Sequence, residues 1–317
     1  MVEGGETVPG DEYRQLLPFL PPEVRRALSN LAADALAGLE EVRLKTERPV
    51  LLRFDGCERF LGDGMLTDDP HSARTFSRQE MKKTMLLLSE SSVYAFSEEL
   101  RRGYITLPGG HRAGFAGRAV LERGALRTLK DVSSVNLRLA RAVPGAGKSI
   151  LSRLPLQDGA LPSALLVAPP RAGKTTLLRD LTRLLSDGVG VRPFRIGLAD
   201  ERSELAACRE GVPQLDVGLR TDVVDGCPKA EAMLLLLRSM GPEVLVTDEL
   251  GREEDAAAVA EAAMSGVSVL ATAHARDAAE ARRRPLLRRL LTEGFFRYLV
   301  VLSRRAGPGT VEEVVRL

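Results

Sequence analysis

The chain has 317 residues, 44% of them hydrophobic, and its 45 basic and 43 acidic residues leave a formal net charge of +2. That length suits two domains or one large one, and that apolar share supplies an ordinary globular core. So even a charge balance excludes a global attraction to nucleic acid or to an anionic membrane; either would need a local patch.

Residues 1–21 are rich in glycine, proline and acids and are expected to be disordered. From Pro22 to Leu39 apolar residues recur at helical spacing (Val24, Leu28, Leu31, Leu36). After Glu41 the period falls to two: Val42 and Leu44, a turn at Thr46-Glu47-Arg48-Pro49, then Val50, Leu52 and Phe54. Asp55-Gly56 continues the hairpin pattern into 57–61, and Ser77-Arg78-Gln79-Glu80 is a capping box opening a helix over 81–89. Strands are expected over 104–107, 111–121, 125–130 and 135–139, separated by glycine-containing turns. Residues 22–140 therefore read as a small α+β domain. The stretch 141–162, broken by prolines and glycines, reads as a linker.

From residue 163 strands and helices alternate, which implies a mostly parallel sheet with ligands at the carboxyl ends of its strands. The apolar run Ser163-Ala164-Leu165-Leu166-Val167 leads into Ala168-Pro169-Pro170-Arg171-Ala172-Gly173-Lys174-Thr175-Thr176 and then a helical pattern that ends at Asp187-Gly188. Strand, tight loop ending in Gly-Lys-Thr, and helix is the context of a phosphate-binding loop, whose backbone N–H groups face anionic oxygens. Lys174 is then expected to reach the β/γ-phosphates of ATP, and Thr175 to bind Mg²⁺. Ala168 stands where the first glycine belongs and fits only with a negative φ. A second stretch, Ala142-Val143-Pro144-Gly145-Ala146-Gly147-Lys148-Ser149, has the same spelling. Pro155 cuts its helix short, so context favours Lys174.

Further strands are expected over 195–199, 243–247 and 267–271, with helices over 228–240 and 256–265. Asp248-Glu249 closes the second of these strands, and two carboxylates at the end of a buried strand are costly without a cation. Asp248 is expected to hold Mg²⁺ and Glu249 to activate the attacking water. Asp200, Glu201 and Glu204 form another acidic group, read either as extra Mg²⁺ or water positioning or as a solvated helix cap. His274, two residues after Thr272, is a candidate to sense the γ-phosphate or polarise the lytic water. The basic run Arg282-Arg283-Arg284 with Arg288-Arg289 reads as a solvated helix face rather than a nucleic-acid contact. Cys57, Cys208 and Cys227, with three histidines, make neither a zinc pattern nor a disulfide framework and suit a reducing compartment. The N-terminal residues lack a signal-peptide pattern, and no apolar run approaches the ~18 residues of a membrane span. A cytoplasmic location is expected, with peripheral docking at a membrane complex left open.

Together these residues resemble the stage III sporulation protein AA family. The resemblance rests on Gly-Lys-Thr-Thr-Leu-Leu-Arg-Asp (173–180), Asp-Glu-Arg-Ser-Glu (200–204), the run 218–230 and Leu-Arg-Ser-Met (237–240). Asp-Glu-Leu-Gly-Arg (248–252), Thr-Ala-His (272–274) and, upstream, residues 102–112 and 132–138 extend it. Ala275 stands where that family's relatives carry glycine after the histidine. The family in turn is similar to the hexameric ATPases of type II and type IV secretion. This implies a RecA-like core over 163–317 behind a smaller N-terminal domain, with Asp200, Glu201 and Glu204 as an Asp box and His274 in a His box. It also implies a homo-oligomer, a hexameric ring, energising membrane-embedded sporulation channel proteins between mother cell and forespore.

Within 163–317 no residue is identified for the far side of the γ-phosphate. The resemblance to ring-forming ATPases places the first domain beside a neighbour's nucleotide, which makes Arg112, Arg118 and Arg138 candidates to act in trans. Two other readings compete: a P-loop protein that binds nucleic acid, disfavoured by the near-neutral charge, and a nucleotide-gated scaffold with little turnover, suggested by Ala168.

Overall fold

The computed structural model describes residues 12–54, 56–89 and 93–317, and the chain divides into two compact units, Met1–Arg141 and Ala142–Leu317. Of the stretch expected to be disordered, residues 1–11 lie outside the described residues. The rest is structured: Glu12–Phe19 is a 3-10 helix with Tyr13, Leu16 and Phe19 buried. Burial of those three, and of Leu20, outweighs the polar composition that suggested disorder.

The first unit holds β1 (Leu39–Lys45), β2 (Arg48–Pro49), β3 (Leu51–Phe54), β4 (Cys57–Leu61), β5 (Leu66–Thr67), β6 (Thr75–Phe76), β7 (Tyr104–Thr106), β8 (Arg112–Glu122) and β9 (Ala125–Arg138). Seven of these form one sheet in the order β5-β4-β3-β1-β9-β8-β7, while β2 and β6 pair separately. Every pairing in both is antiparallel. Alternation turns Val42, Leu44, Leu52, Phe54, Val135 and Leu137 into one core. Helix α1 (Pro22–Ser29) buries Val24, Ala27 and Leu28; α2 (Arg78–Leu88) starts at the expected Ser77–Glu80 capping box; α3 spans Val93–Arg102. The strands expected over 125–130 and 135–139 are one strand, β9, which carries a register shift against β8 and a left-handed Asp131 (φ 48°) between the two expected segments.

His111 ties this unit together. Its Nδ1 accepts from the Ala140 N–H at 2.9 Å, so Nε2 carries the proton and donates to Gln15 Oε1 at 3.1 Å. Burial pushes its pKa down from 6.5 to about 4. The folded state therefore prefers neutral His111; the stability this contributes is complete above pH 6.5 and is lost as pH falls toward 4. The expected loss is roughly 3 kcal/mol. Urea midpoints measured between those two pH values should fall in the wild type and fall markedly less in His111→Asn.

The second unit contains α4 (Lys148–Leu151), β10 (Ala164–Ala168), α5 (Lys174–Asp187), β11 (Ile196–Asp200), β12 (Thr221–Asp225), α6 (Lys229–Ser239) and β13 (Val244–Thr247). It continues with α7 (Glu253–Met264), β14 (Ser268–His274), α8 (Ala278–Arg283), α9 (Pro285–Thr292), β15 (Tyr298–Ser303) and β16 (Thr310–Arg316). The sheet order is β12-β11-β13-β14-β10-β15-β16. All neighbours are parallel except β15 and β16. Strand β10 lies between β14 and β15 and is buried along its whole length. Its Ala164 and Leu166 join a cluster with Leu177, Leu178 and Leu181 of α5. Its Leu165 and Val167 join a second cluster with Leu236 of α6, Val259 of α7 and Leu290 of α9. A parallel sheet covered on both faces accounts for the uninterrupted apolar run.

The expected linker needs correcting. Residues 142–162 belong to the second unit, where Ile150, Leu154 and Leu161 enter the α5-side core. Prolines and glycines break the regular structure there without breaking the burial. Among the described residues no helix is long and apolar enough to cross a membrane.

Candidate functional site

The loop between β10 and α5 is held open by two left-handed residues, Arg171 (φ 60°) and Gly173 (φ 83°). Only glycine fits at 173, because a Cβ there would stand 3.0 Å from the Gly309 nitrogen. Gly309 N–H in turn donates to Ala172 O at 2.9 Å, so the turn before β16 braces the loop. Ala168 is the last residue of β10 and has no positive φ, so the glycine it replaces is not needed for the turn.

Lys174 opens α5 and is only 6% exposed. Its Nζ donates to the carbonyls of Ala168 and Pro169, each at 3.4 Å, and lies 3.2 Å from His274 Nδ1. Burial pushes its pKa down, and the charges of Asp248 and Glu249 oppose that. The neighbouring Thr175 Oγ1 donates to Asp248 Oδ2 at 2.7 Å. Asp248 Oδ1 accepts from the Thr272 hydroxyl at the end of β14, and from the Glu249 N–H at 3.0 Å. Glu249 adopts a left-handed backbone (φ 51°), with its N–H also shared with Thr272 Oγ1 at 2.9 Å. Its Oε1 is 3.0 Å from His274 Nε2 and its Oε2 accepts from Arg202 Nη1 at 2.9 Å. Because Lys174 can only donate, His274 Nδ1 is the acceptor and Nε2–H the donor to Glu249.

Lys174, Thr175, Asp248, Glu249 and His274 thus form one hydrogen-bonded cluster, built from the carboxyl ends of β10, β13 and β14. A hydroxyl and a carboxylate oxygen 2.7 Å apart fit Mg²⁺, which takes hard oxygens and few protein ligands, leaving room for water and phosphate.

The second acidic group divides. Asp200 is 2% exposed, and its carboxylate accepts the amides of Glu204, Leu205 and Ala206 at 2.8, 3.0 and 2.8 Å. Burial raises its pKa against those hydrogen bonds. Arg179 of α5 closes the same loop by donating to the carbonyls of Leu205 and Glu204, each at 2.6 Å. Glu201 instead pairs with the buried Lys229, with Arg252 at 3.8 Å. Burial pushes Glu201 up, but Lys229, Arg252 and Arg202 outweigh it and leave its pKa lowered. Asp200 is therefore an anchor for its own loop and Glu201 a bridge to α6 and α7. Arg179, Arg202, Lys229 and Arg252 lie in or at the end of motifs quoted above, but nothing in their spacing marks them as partners of these carbonyls and carboxylates.

The second Gly-Lys-Ser stretch takes a different form. Its helix α4 spans only Lys148–Leu151, and the Gly147 N–H is taken by Asp180 Oδ2 at 2.8 Å. A Cβ at 147 would meet the Leu181 nitrogen of α5 at 2.7 Å, so this turn is pressed onto a helix rather than open to a ligand. The three candidate arginines belong to the first unit. Arg112 stacks on Tyr104 at 4.0 Å, Arg118 pairs with Asp131 at 2.9 Å and Arg138 with Glu41 at 3.3 Å. Arg112 and Arg138 are register neighbours across β8 and β9. In the basic run, Arg284 pairs with Glu280 and Arg289 with Glu253. Cys208 is buried, Cys227 partly so and Cys57 exposed, all free thiols.

A mostly parallel sheet whose buried strand β10 feeds a Gly-Lys-Thr loop, with a carboxylate from the strand two places away bound to the loop threonine, defines a RecA-like P-loop fold. The solved structures agree on that fold. The Legionella pneumophila ATPase DotB is 18% identical with a TM-score of 0.53, over 94% of this chain and 77% of that one. The pilus retraction motor PilT with bound ADP is 17% identical with a TM-score of 0.55, over 88% and 76%. Within that class, the sporulation stage III protein AA family matches residues 11–316, and the chain belongs to it. Stage III sporulation protein AA of Bacillus subtilis (strain 168) is 42% identical over 301 residues, 95% of this chain and 94% of that protein.

Proposed function

We propose that the chain is a Mg²⁺-dependent ATPase of the secretion-motor type, working at a sporulation channel. One observation carries the reading: Lys174, Thr175, Asp248, Glu249 and His274 meet in a single cluster at the strand ends. Lys174 and the loop amides receive the β/γ-phosphates. Thr175 and Asp248 hold Mg²⁺, which when bound neutralises phosphate charge. Glu249 accepts a proton from the attacking water, whose oxygen bonds to the γ-phosphorus as the bond to the bridging oxygen breaks, giving ADP and phosphate. His274 Nε2–H holds Glu249 in place. Asp200 acts at one remove, by fixing the 200–206 loop together with Arg179, and Glu204 contributes its carbonyl to the same tie. Residues 163–317 form the nucleotide-handling domain, with 142–162 packed onto it, and 22–140 the partner domain. Phosphate release from MgATP by the purified full-length protein is the direct test; failure to turn over while binding ATP would favour the scaffold reading. Ala168, the ground for that reading, loses its force because its backbone needs no glycine.

We further propose a homo-oligomeric ring, hexameric by likeness to secretion ATPases, in which Arg112, Arg118 or Arg138 faces a neighbour's γ-phosphate. Such an arginine is worth about 10³ or more in rate. Alanine at the operative position should depress turnover at least ~10-fold without weakening ATP binding. Mixing that variant with Lys174→Ala protein should restore part of the activity, because a mixed ring regains complete sites. No recovery on mixing, with both variants sized as rings by light scattering, would remove the trans arginine.

A further inference from the structure

We propose that Arg202 is a positioning residue for hydrolysis, setting the orientation of the Glu249 carboxylate; the proposal rests on the ATPase reading above. Glu249 has two carboxylate oxygens, and each is assigned a different donor: His274 Nε2 on Oε1 and Arg202 Nη1 on Oε2. Two donors on separate oxygens fix the plane of a carboxylate as well as its position, which one donor cannot do.

The mount of Arg202 is unusually stiff for an exposed side chain. Arg202 is 64% exposed at its side chain, and an exposed ion pair adds little to stability. Yet the residues on both sides of it are pinned. Asp200 is buried and accepts three backbone amides. Glu201 is tied to buried Lys229 and to Arg252. Ser203 is buried in a left-handed conformation (φ 52°), strain that a non-glycine residue tolerates only when its surroundings impose it. Glu249, at the other end, is left-handed as well, with its N–H bound by Asp248 and Thr272. Two strained, over-determined backbones facing each other across one ion pair of little structural value point to a geometric requirement at Glu249. The same placement gives the acidic 200–204 group a purpose that its carboxylates alone do not: Asp200 and Glu201 anchor the turn, and the arginine between them and Ser203 does the positioning.

A positioning role and a merely structural one separate in a double-mutant cycle on the full-length protein. Arg202→Ala is expected to lower kcat about 10- to 100-fold while the Kd for MgATP changes less than about 2-fold. Arg202→Lys, which keeps a cationic donor but not the planar guanidinium fork, should recover part of the loss. In a Glu249→Gln background, Arg202→Ala should have almost no further effect, because the group it positions is already disabled. Equal losses in both backgrounds, or an unchanged kcat in Arg202→Ala, would overturn the proposal. These results leave the ATPase reading standing if wild-type protein turns over and Glu249→Gln does not; an inactive wild type overturns both.

Discussion

Lys174→Ala is expected to abolish ATP binding at ordinary nucleotide concentrations. Lys174 is buried and desolvated before any ligand is considered, and burial already disfavours its charge. A dianionic phosphate restores a full counter-charge in that poorly solvated spot, so removing the cation leaves the phosphate unopposed at a cost on the order of 2–5 kcal/mol. Affinity should fall at least ~30-fold, read by calorimetry or a fluorescent nucleotide. Lys148→Ala is the control with the same spelling and a different setting: Lys148 is exposed on a four-residue helix. Its binding should match wild type. A damaging Lys148→Ala beside a harmless Lys174→Ala would reverse the assignment of the two loops.

Glu249→Gln should keep MgATP bound and slow hydrolysis at least about 100-fold, the scale for losing a positioned general base. Gln keeps the size of the side chain and an acceptor for His274 Nε2–H, but cannot take up a proton. Thr175 and Asp248, bonded to each other at 2.7 Å, are untouched by the change, so the Mg²⁺ dependence of nucleotide binding should persist. Wild-type turnover in this variant would take Glu249 out of the reaction.

How far the amino-acid sequence reaches depends on what each residue answers to. The centre of the second unit is legible because β10, β13 and β14 are apolar runs that lead directly into the chemistry-bearing motifs, and burial on both faces leaves no other pattern. Strand β12 escapes because it pairs on one side only: its Thr-Asp-Val-Val-Asp is half-exposed and reads as loop. Strand β15 is an apolar run with no polar motif at its end, and the half-exposed β16 pairs with it on one side only, so neither carries a signal of the site. The stretch 142–162 misleads in the opposite way, since proline and glycine report on local geometry and not on whether Ile150, Leu154 and Leu161 find a core. At the site, Lys174, Thr175, Asp248, Glu249 and His274 are recognisable because their chemistry is local to a strand end. The division of labour among Asp200, Glu201 and Arg202 is not. Asp200 and Glu201 are alike in sequence and Arg202 is one exposed arginine among many, so only backbone amides, the distant Lys229 and the distant Glu249 decide which is anchor, which is bridge and which positions.

The place of β10 between β14 and β15 has a consequence for how the protein is made. Its two neighbours in the sheet, β14 and β15, and the Gly309 turn that braces the phosphate loop are all synthesised long after it. A nascent chain that has just emerged through α5 carries the whole Gly-Lys-Thr loop but has neither flanking strand for β10 nor the backbone that supports Ala172 and Gly173. Non-local parallel pairings of this kind close late and slowly. A chain stalled at the ribosome before the final hairpin therefore carries the Gly-Lys-Thr motif without the strands and the backbone that shape its loop.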